Sequence, residues 1–312
     1  MLAASSCVKN GMDPCGSYLR IVYDYNMEYV DQFHKQVTFF SLFVFDAETG
    51  LFVREEKVAQ NPFSEGYVME IPEDMQGENY TFVVWAGLDA GSYSFPALVP
   101  GSSTIDDLKV QVKGYQDQLV DRGVELEPLW HGMLENVVYP IDRVETKTIS
   151  LMKDTKKFRL VIQYLNTDEQ VDINNFDVKI TSPDGWYDHT NSLLDSPNTP
   201  ISYLPYYTAN DSEVGGIVEL NSLRLMNDGR PNRLIITDNT TGGNILNISL
   251  DSYLNALKLL QFISMPLQEY LDREDHYGIL IFLQWDGAQN GWMAAKVFIN
   301  DWQIRLQDIE NP

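Results

Sequence analysis

Apolar side chains recur at every second position through most of this chain, the spacing of a half-buried strand. Leu19, Ile21, Tyr23 and Tyr25 alternate with Arg20 and Asp24. The same period runs through Tyr80, Phe82, Val84 and Ala86, through Phe158, Leu160, Ile162 and Tyr164, through Phe176, Val178 and Ile180, and through Leu246, Ile248 and Leu250. Phe39, Phe43 and Phe45 share one face of a further run while Phe40, Leu42 and Val44 fill the other, so a central strand buried on both sides is predicted there. Residues 279–285 form a continuous apolar run, followed by Val297 and Ile299 and then by Trp302, Ile304 and Leu306.

Clusters of Gly, Asn, Asp and Pro separate these runs, among them Asp46-Ala-Glu-Thr-Gly50, Ser182-Pro-Asp-Gly185, Thr241-Gly-Gly-Asn244 and Asp286-Gly287. Many short strands punctuated by turn chemistry predict antiparallel sandwiches. Helix is scarce. Tyr253, Leu254, Leu257 and Leu260 stand at helical spacing within 252–262, Met265-Pro266 interrupts, and a short helical turn is expected to continue through Arg273. A weaker helical segment is expected over 104–111, with Thr104 as its cap before Asp106 and Asp107. The fold class predicted is mainly β: two tandem antiparallel sandwiches with one or two short helices.

A faint internal repeat supports two units. The stretch 19–25 is similar to 158–164, and each is followed by a second strand and a Gly-terminated turn. The polar stretch Met152-Lys-Asp-Thr-Lys-Lys157 just before the second opening strand is the expected boundary. The expected organisation is a tether over 1–16, a first sandwich over 17–153 and a second over 154–312.

Composition narrows the function. A chain of 312 residues has the length of two ordinary domains. An apolar fraction of 44%, with 14 Phe, 6 Trp and 17 Tyr, argues against a disordered chain. Lys and Arg number 22 against 45 Asp and Glu, a net charge of −23. That charge disfavours nucleic acid and anionic membrane surfaces, which need a cationic patch. No apolar run reaches the roughly 18 residues of a membrane-crossing helix. Four scattered histidines and two cysteines give no metal-ligand spacing, and no nucleophile elbow, phosphate loop or dinucleotide fingerprint is present. The expectation is a protein without catalysis, metal or cofactor.

Both cysteines, Cys7 and Cys15, lie in the first fifteen residues, so a disulfide framework across the fold is excluded. Ala4-Ser5-Ser6-Cys7 has the form of the end of a bacterial lipoprotein signal: small residues admit a peptidase, and the thiol takes the lipid. Acyl chains contribute about 0.8 kcal/mol per buried CH₂, so a multiply acylated Cys holds a folded domain on a membrane. A local Cys7–Cys15 loop is the alternative.

Trp130-His131-Gly132 reads as a tight turn with a packed Trp, and Asp286-Gly287 as a hairpin between Trp285 and Trp292. Trp186, Tyr187, Tyr203, Tyr206 and Tyr207, near His189, are residue types that stack on sugar rings or pack in cores. The alternating residues after Val297 form a terminal strand with two uses: completing its own sheet, which the pattern alone favours, or adding to a neighbour's open edge.

Taken in order, several segments resemble the FimB-type fimbrial anchor lipoproteins of Bacteroidetes. They are Cys7 with Cys15-Gly16, the strand Tyr18-Leu-Arg-Ile-Val-Tyr-Asp-Tyr-Asn-Met27, Leu42-Phe-Val-Phe-Asp46, Tyr80-Thr-Phe-Val-Val-Trp-Ala-Gly87, Leu129-Trp-His-Gly132, Leu151-Met-Lys-Asp-Thr155 and Val297-Phe-Ile-Asn-Asp-Trp302. The resemblance covers nearly the whole chain. It implies tandem transthyretin-like sandwiches and a minor subunit of a type V pilus, held in the outer membrane by a lipid on Cys7 and facing outward at the fimbrium base. It implies a fimbrial shaft subunit as partner and a monomer when isolated. The donor strand would lie over 297–309, with Val297, Ile299, Trp302, Ile304 and Leu306 as its pocket-filling residues. The chain's own groove would stay closed by its segment 19–25. A shaft or tip role fits the same family, and a surface glycan-binding lipoprotein using Trp186, Tyr187, Tyr203, Tyr206 and Tyr207 is the alternative function.

Overall fold

The computed structural model describes residues 16–88, 91–121, 123–165, 167, 169–194, 200–288 and 291–300, and the backbone of 302–304. It is mainly β. In chain order the first strands are β1 (Ser17–Tyr25), β2 (Phe39–Asp46), β3 (Phe52–Ala59), β4 (Val68–Ile71) and β5 (Asn79–Ala86). Three short ones follow, β6 (Tyr93–Ser94), β7 (Val110–Val112) and β8 (Leu119–Val120), then β9 (Trp130–Val138) and β10 (Thr146–Lys153). A four-residue helix, α1 (Phe33–Gln36), lies between β1 and β2.

The chain forms two compact units. Among the described residues, the first combines those up to Leu88 with Pro96–Leu108 and Trp130–Met152; the second takes those of 91–95 and 109–129 and those from Lys153 onward. The linear division at 153/154 expected from the sequence is thereby modified, because two excursions leave the first half of the chain to join the second unit. The cause is pairing: β8 joins β14 (Ile201–Tyr203) in parallel, and β7 joins β13 (Trp186–Tyr187).

Unit 1 is one seven-stranded sheet in the order β3-β2-β5-β9-β10-β1-β4. β2 sits between β3 and β5, and all six of its residues from Phe40 to Phe45 are buried, as its two apolar faces require. Phe40, Leu42 and Val44 meet Leu19, Ile21, Phe82, Val84, Ile149 and Leu151 in one core, each large side chain contributing about 1.5–3 kcal/mol by leaving water. The Trp130-His131-Gly132 segment, expected as a tight turn, is instead the start of β9. His131 lies opposite Trp85, with ring centroids 4.6 Å apart. Gly132 is required there: a Cβ would stand 2.6 Å from Ile149 Cγ2 and 2.9 Å from the Ser150 carbonyl.

Unit 2 continues with β11 (Lys156–Tyr164), β12 (Phe176–Ser182), β13, β14, β15 (Tyr207–Asp211), β16 (Gly215–Ser222), β17 (Arg233–Asp238) and β18 (Asn244–Ser249). After α2 (Leu250–Gln261) and α3 (Leu267–Arg273) come β19 (His276–Asp286), β20 (Gly291–Ile299) and β21 (Trp302–Ile304). Its sheets run β15-β16-β11-β19-β20-β21, β18-β17-β12-β14-β8 and β13-β7-β6. Ser249 caps α2 by accepting from the Ser252 N–H, and Leu250, Tyr253, Leu254 and Leu257 are the buried stripe of α2. The weaker helix expected over 104–111 shrinks to a single turn over Ile105–Asp107, closed by a Thr104–Asp107 capping box. The β-branched Val110 and Val112 then enter β7 instead.

The sequence repeat has a counterpart in topology. β1 pairs in parallel with β10 and antiparallel with β4. β11 pairs in parallel with β19 and antiparallel with β16. Each opening strand is thus an interior strand with one neighbour of each sense.

Candidate assembly interface

Strand exchange needs an edge that can be filled or an edge strand that can leave, so the two terminal strands define the candidate interface. β1 is held on both sides. Ile21 lies opposite Ile149 of β10, and Leu19 lies between Lys147 of β10 and Met69 of β4. Leu19 and Ile21 are fully buried and Tyr23 nearly so. The ends of the strand are secured as well. The Tyr18 N–H donates to the Glu145 carbonyl at 2.8 Å, and the Tyr139 hydroxyl donates to the Tyr18 carbonyl at 3.0 Å. Burial pushes the Tyr139 phenol well above its ordinary value, which keeps it a donor. At the far end, Asp31 accepts from the Tyr23 N–H at 3.0 Å, and the Asn26 amide donates to the Tyr23 carbonyl at 2.9 Å.

The C-terminal strands are arranged differently. β20 lies between β19 and β21, with Val297 opposite Ile281 and Ile304, and Ile299 opposite Ile279 and Trp302. Val297 and Ile299 are fully buried in their own sheet. β21 is the edge strand, paired through three residues to β20. The turn into it begins at Asn300, which has φ +46°, a conformation Asn tolerates better than most residues. Its side-chain oxygen accepts from the Gly278 N–H at 2.8 Å. Beside this turn a groove of about 760 Å³ is lined by Val161, Leu280 and Phe298. Cys7 and Leu306 lie outside the described residues, and Trp302 and Ile304 are described as backbone.

The polar stretch read as the unit boundary is not an exposed linker. Lys153, Asp154 and Lys156 are buried. The Lys156 ammonium donates to the carbonyls of Glu274 at 2.9 Å, Asp272 at 3.0 Å and Lys153 at 3.3 Å. Lys153 pairs with Asp275 at 2.6 Å, and Arg224 grips Asp272 through two bonds of 2.7 and 2.9 Å. Burial pushes the Asp154 carboxyl up to about 7 and the Lys156 ammonium down to about 8. The bonds to the carboxylate of Asp272 hold Arg224 above its ordinary value despite burial. This network ties the start of β11 to the α3–β19 connection, and nothing in the hydrophobic pattern announces it. Among the described residues no group of three or more His, Cys, Asp or Glu is placed to hold a metal ion.

The aromatic set singled out for glycan contact divides between core and surface. Tyr187 and Tyr203 are fully buried, and the Tyr203 hydroxyl donates to the Asp184 carbonyl. Trp186 packs against Tyr115, with centroids 5.8 Å apart. The Tyr206 hydroxyl donates to Glu219, while Lys157 lies 5.7 Å from its ring centre. Tyr207 is exposed on β15. Two of the five therefore offer no face to a ligand. A partly exposed ring cluster lies elsewhere, with Trp285 exposed and Tyr164 and Trp292 half-buried. Its signal in the sequence was the Trp pair flanking the expected Asp286-Gly287 hairpin, which the structure contains.

Comparison with known proteins gives a consistent family. The family model described as fimbrillin-A associated anchor proteins Mfa1 and Mfa2 matches residues 12–308. Among solved structures, the chain is 33% identical to a candidate polysaccharide-binding protein from Bacteroides thetaiotaomicron. The match covers 94% of this chain and 99% of that one, with a TM-score of 0.82. A candidate adhesin from the same organism is 31% identical over 94% and 99% of the two chains, with a TM-score of 0.76. The fimbrial anchor protein Mfa2 from Porphyromonas gingivalis shares the fold at 17% identity, over 93% and 98%, with a TM-score of 0.71. Among curated proteins none matches.

Proposed function

This chain belongs to the family of fimbrillin-A associated anchor proteins, and from that premise we propose that it anchors a surface fimbria. It is tied to the outer membrane by a lipid on Cys7 and joined to the shaft by strand exchange at β21. The role is structural, and the partner is a fimbrial shaft subunit.

The observation that carries this reading is the position of β1. A subunit in the middle of a strand-exchanged polymer must have a groove that its neighbour fills. Here the chain's own opening strand is paired on both sides, with Leu19 and Ile21 fully buried. Displacing it would expose that core, at about 1.5–3 kcal/mol for each large side chain. A chain that keeps its opening strand and offers an edge strand at the other end terminates a polymer. Val297 and Ile299 stay in their own sheet in this account. The exchanged segment begins at Trp302 and includes Ile304 and Leu306. Isolated from its partner, the protein is a monomer.

Two measurements test the proposal. Removing residues 300–312 abolishes co-purification with the shaft subunit and leaves membrane association unchanged; survival of the complex sinks the donor assignment. Cys7→Ala releases the protein from the membrane fraction, and mass spectrometry of the native N-terminus finds acyl chains on Cys7. An unmodified thiol in membrane-bound protein sinks the tether.

A further inference from the structure

Three aromatic rings meet at one end of the six-stranded sheet of unit 2. Tyr164 is the last residue of β11, and Trp285 and Trp292 face each other across the β19–β20 hairpin. Tyr164 and Trp292 stack, with centroids 4.3 Å apart and planes 12° from parallel. Trp285 meets Trp292 edge-on at 5.2 Å and 78°. Leu283 and Ala294, the neighbouring pair on that face, are buried, whereas Trp285 is 47% exposed. Trp285 therefore extends past the core and presents aromatic surface to water, with the half-buried rings of Tyr164 and Trp292 beside it.

A pocket of about 250 Å³ adjoins Tyr164. It is lined by Gln163, Thr167, Glu169, Gln170, Ser212 and Glu213. Amides, hydroxyls and carboxylates beside an aromatic corner match one ligand chemistry well. A pyranose carries an apolar C–H face that lies on a ring and a rim of hydroxyls that donate and accept.

We propose that this corner binds a neutral glycan, with one sugar ring against Trp285 and Tyr164 and its hydroxyls bonded in the adjoining polar pocket. Charge selects the class. Glu169 and Glu213 line the pocket, and the chain carries a net charge of −23, so uronates and sialylated chains are repelled. The amides and hydroxyls of the lining favour a polyhydroxylated ligand over a simple cation. The site is independent of strand exchange, and neither reading depends on the other.

The test uses the whole chain. Its mobility is measured in native gels containing dextran, mannan, xylan or starch, with polygalacturonate as the acidic counterpart. Poly-lysine binding is followed by tryptophan fluorescence. At least one neutral polysaccharide retards the protein, and polygalacturonate does not. Trp285→Ala and Glu169→Gln each weaken that binding at least about tenfold. Both positions are exposed, and unchanged melting temperatures confirm that each variant is folded. The proposal is overturned if no neutral polysaccharide retards the protein, if both variants bind as the parent does, or if poly-lysine alone binds.

Discussion

Ile21 of β1 and Ile149 of β10 stand opposite each other in a parallel ladder, and both are buried in the core of unit 1. Parallel neighbours cannot be joined by a tight turn, so this contact is made between distant parts of the chain. The opening strand is therefore part of the core and not an appendage to it. Ile21→Ala is expected to destabilise the protein by about 2–5 kcal/mol. A shift of the denaturant midpoint with little change in slope is the expected readout. A loss below about 0.5 kcal/mol, the scale of a surface substitution, would mean that β1 is not seated as described.

Gly132 lets β9 approach β10. Its added Cβ would meet Ile149, Leu151 and the Ser150 carbonyl at 2.6, 2.8 and 2.9 Å. Gly132→Ala is expected to cost about 1–3 kcal/mol through overpacking. Gly287→Ala, where a Cβ meets nothing within 4 Å, is expected to stay within about 0.5 kcal/mol. Thermal melts of the two variants side by side check the contrast.

Much of this was legible in the sequence, and the exceptions have physical causes. Phe40, Leu42 and Val44 on one face and Phe43 and Phe45 on the other announced a central strand, and β2 is one. Met265-Pro266 announced the break between α2 and α3. The excursions into unit 2 were hidden because β6, β7 and β8 have only two or three residues each, too few to show a period. Aromatic content could not separate Tyr187 and Tyr203, buried in the core, from Trp285, left at a hairpin end. A ring suits either place, and the difference lies in which face the strand turns inward. Lys153, Asp154 and Lys156 read as a unit boundary because charge usually marks surface; inside, Lys153 pairs with Asp275, Lys156 donates to carbonyls and Asp154 accepts from the Asn191 amide.

That buried network is sensitive to losing one partner. Arg224→Met leaves the Asp272 carboxylate buried, only 6% exposed, without its bidentate cation. The expected cost is about 3–5 kcal/mol. Adding Asp272→Leu is expected to restore part of it, since the uncompensated charge is then gone. A double-mutant cycle in urea checks this. Strict additivity of the two losses would contradict it.

Asp154 makes stability depend on pH in a particular direction. Burial raises its carboxyl from 3.8 to about 7, against the opposing influence of Arg224 and Asn191. Between those values the folded chain holds a proton that the unfolded chain has released. This contribution to stability therefore falls as pH rises from about 4 to about 7 and is flat above. Asp154→Asn removes it, so the melting temperature of the variant declines less than that of the parent over this window. Equal declines would show that Asp154 does not titrate in the folded state as described.

Hydrogen exchange on the chain alone and in complex with the shaft subunit tests most directly whether the protein keeps its first strand and lends its last. The amides of β1, residues 17–25, are expected to remain protected in both states, while those of 302–304 gain protection when the shaft subunit binds. Loss of protection in β1 on complex formation, with 302–304 unchanged, would show that the neighbour displaces the opening strand and would contradict the account.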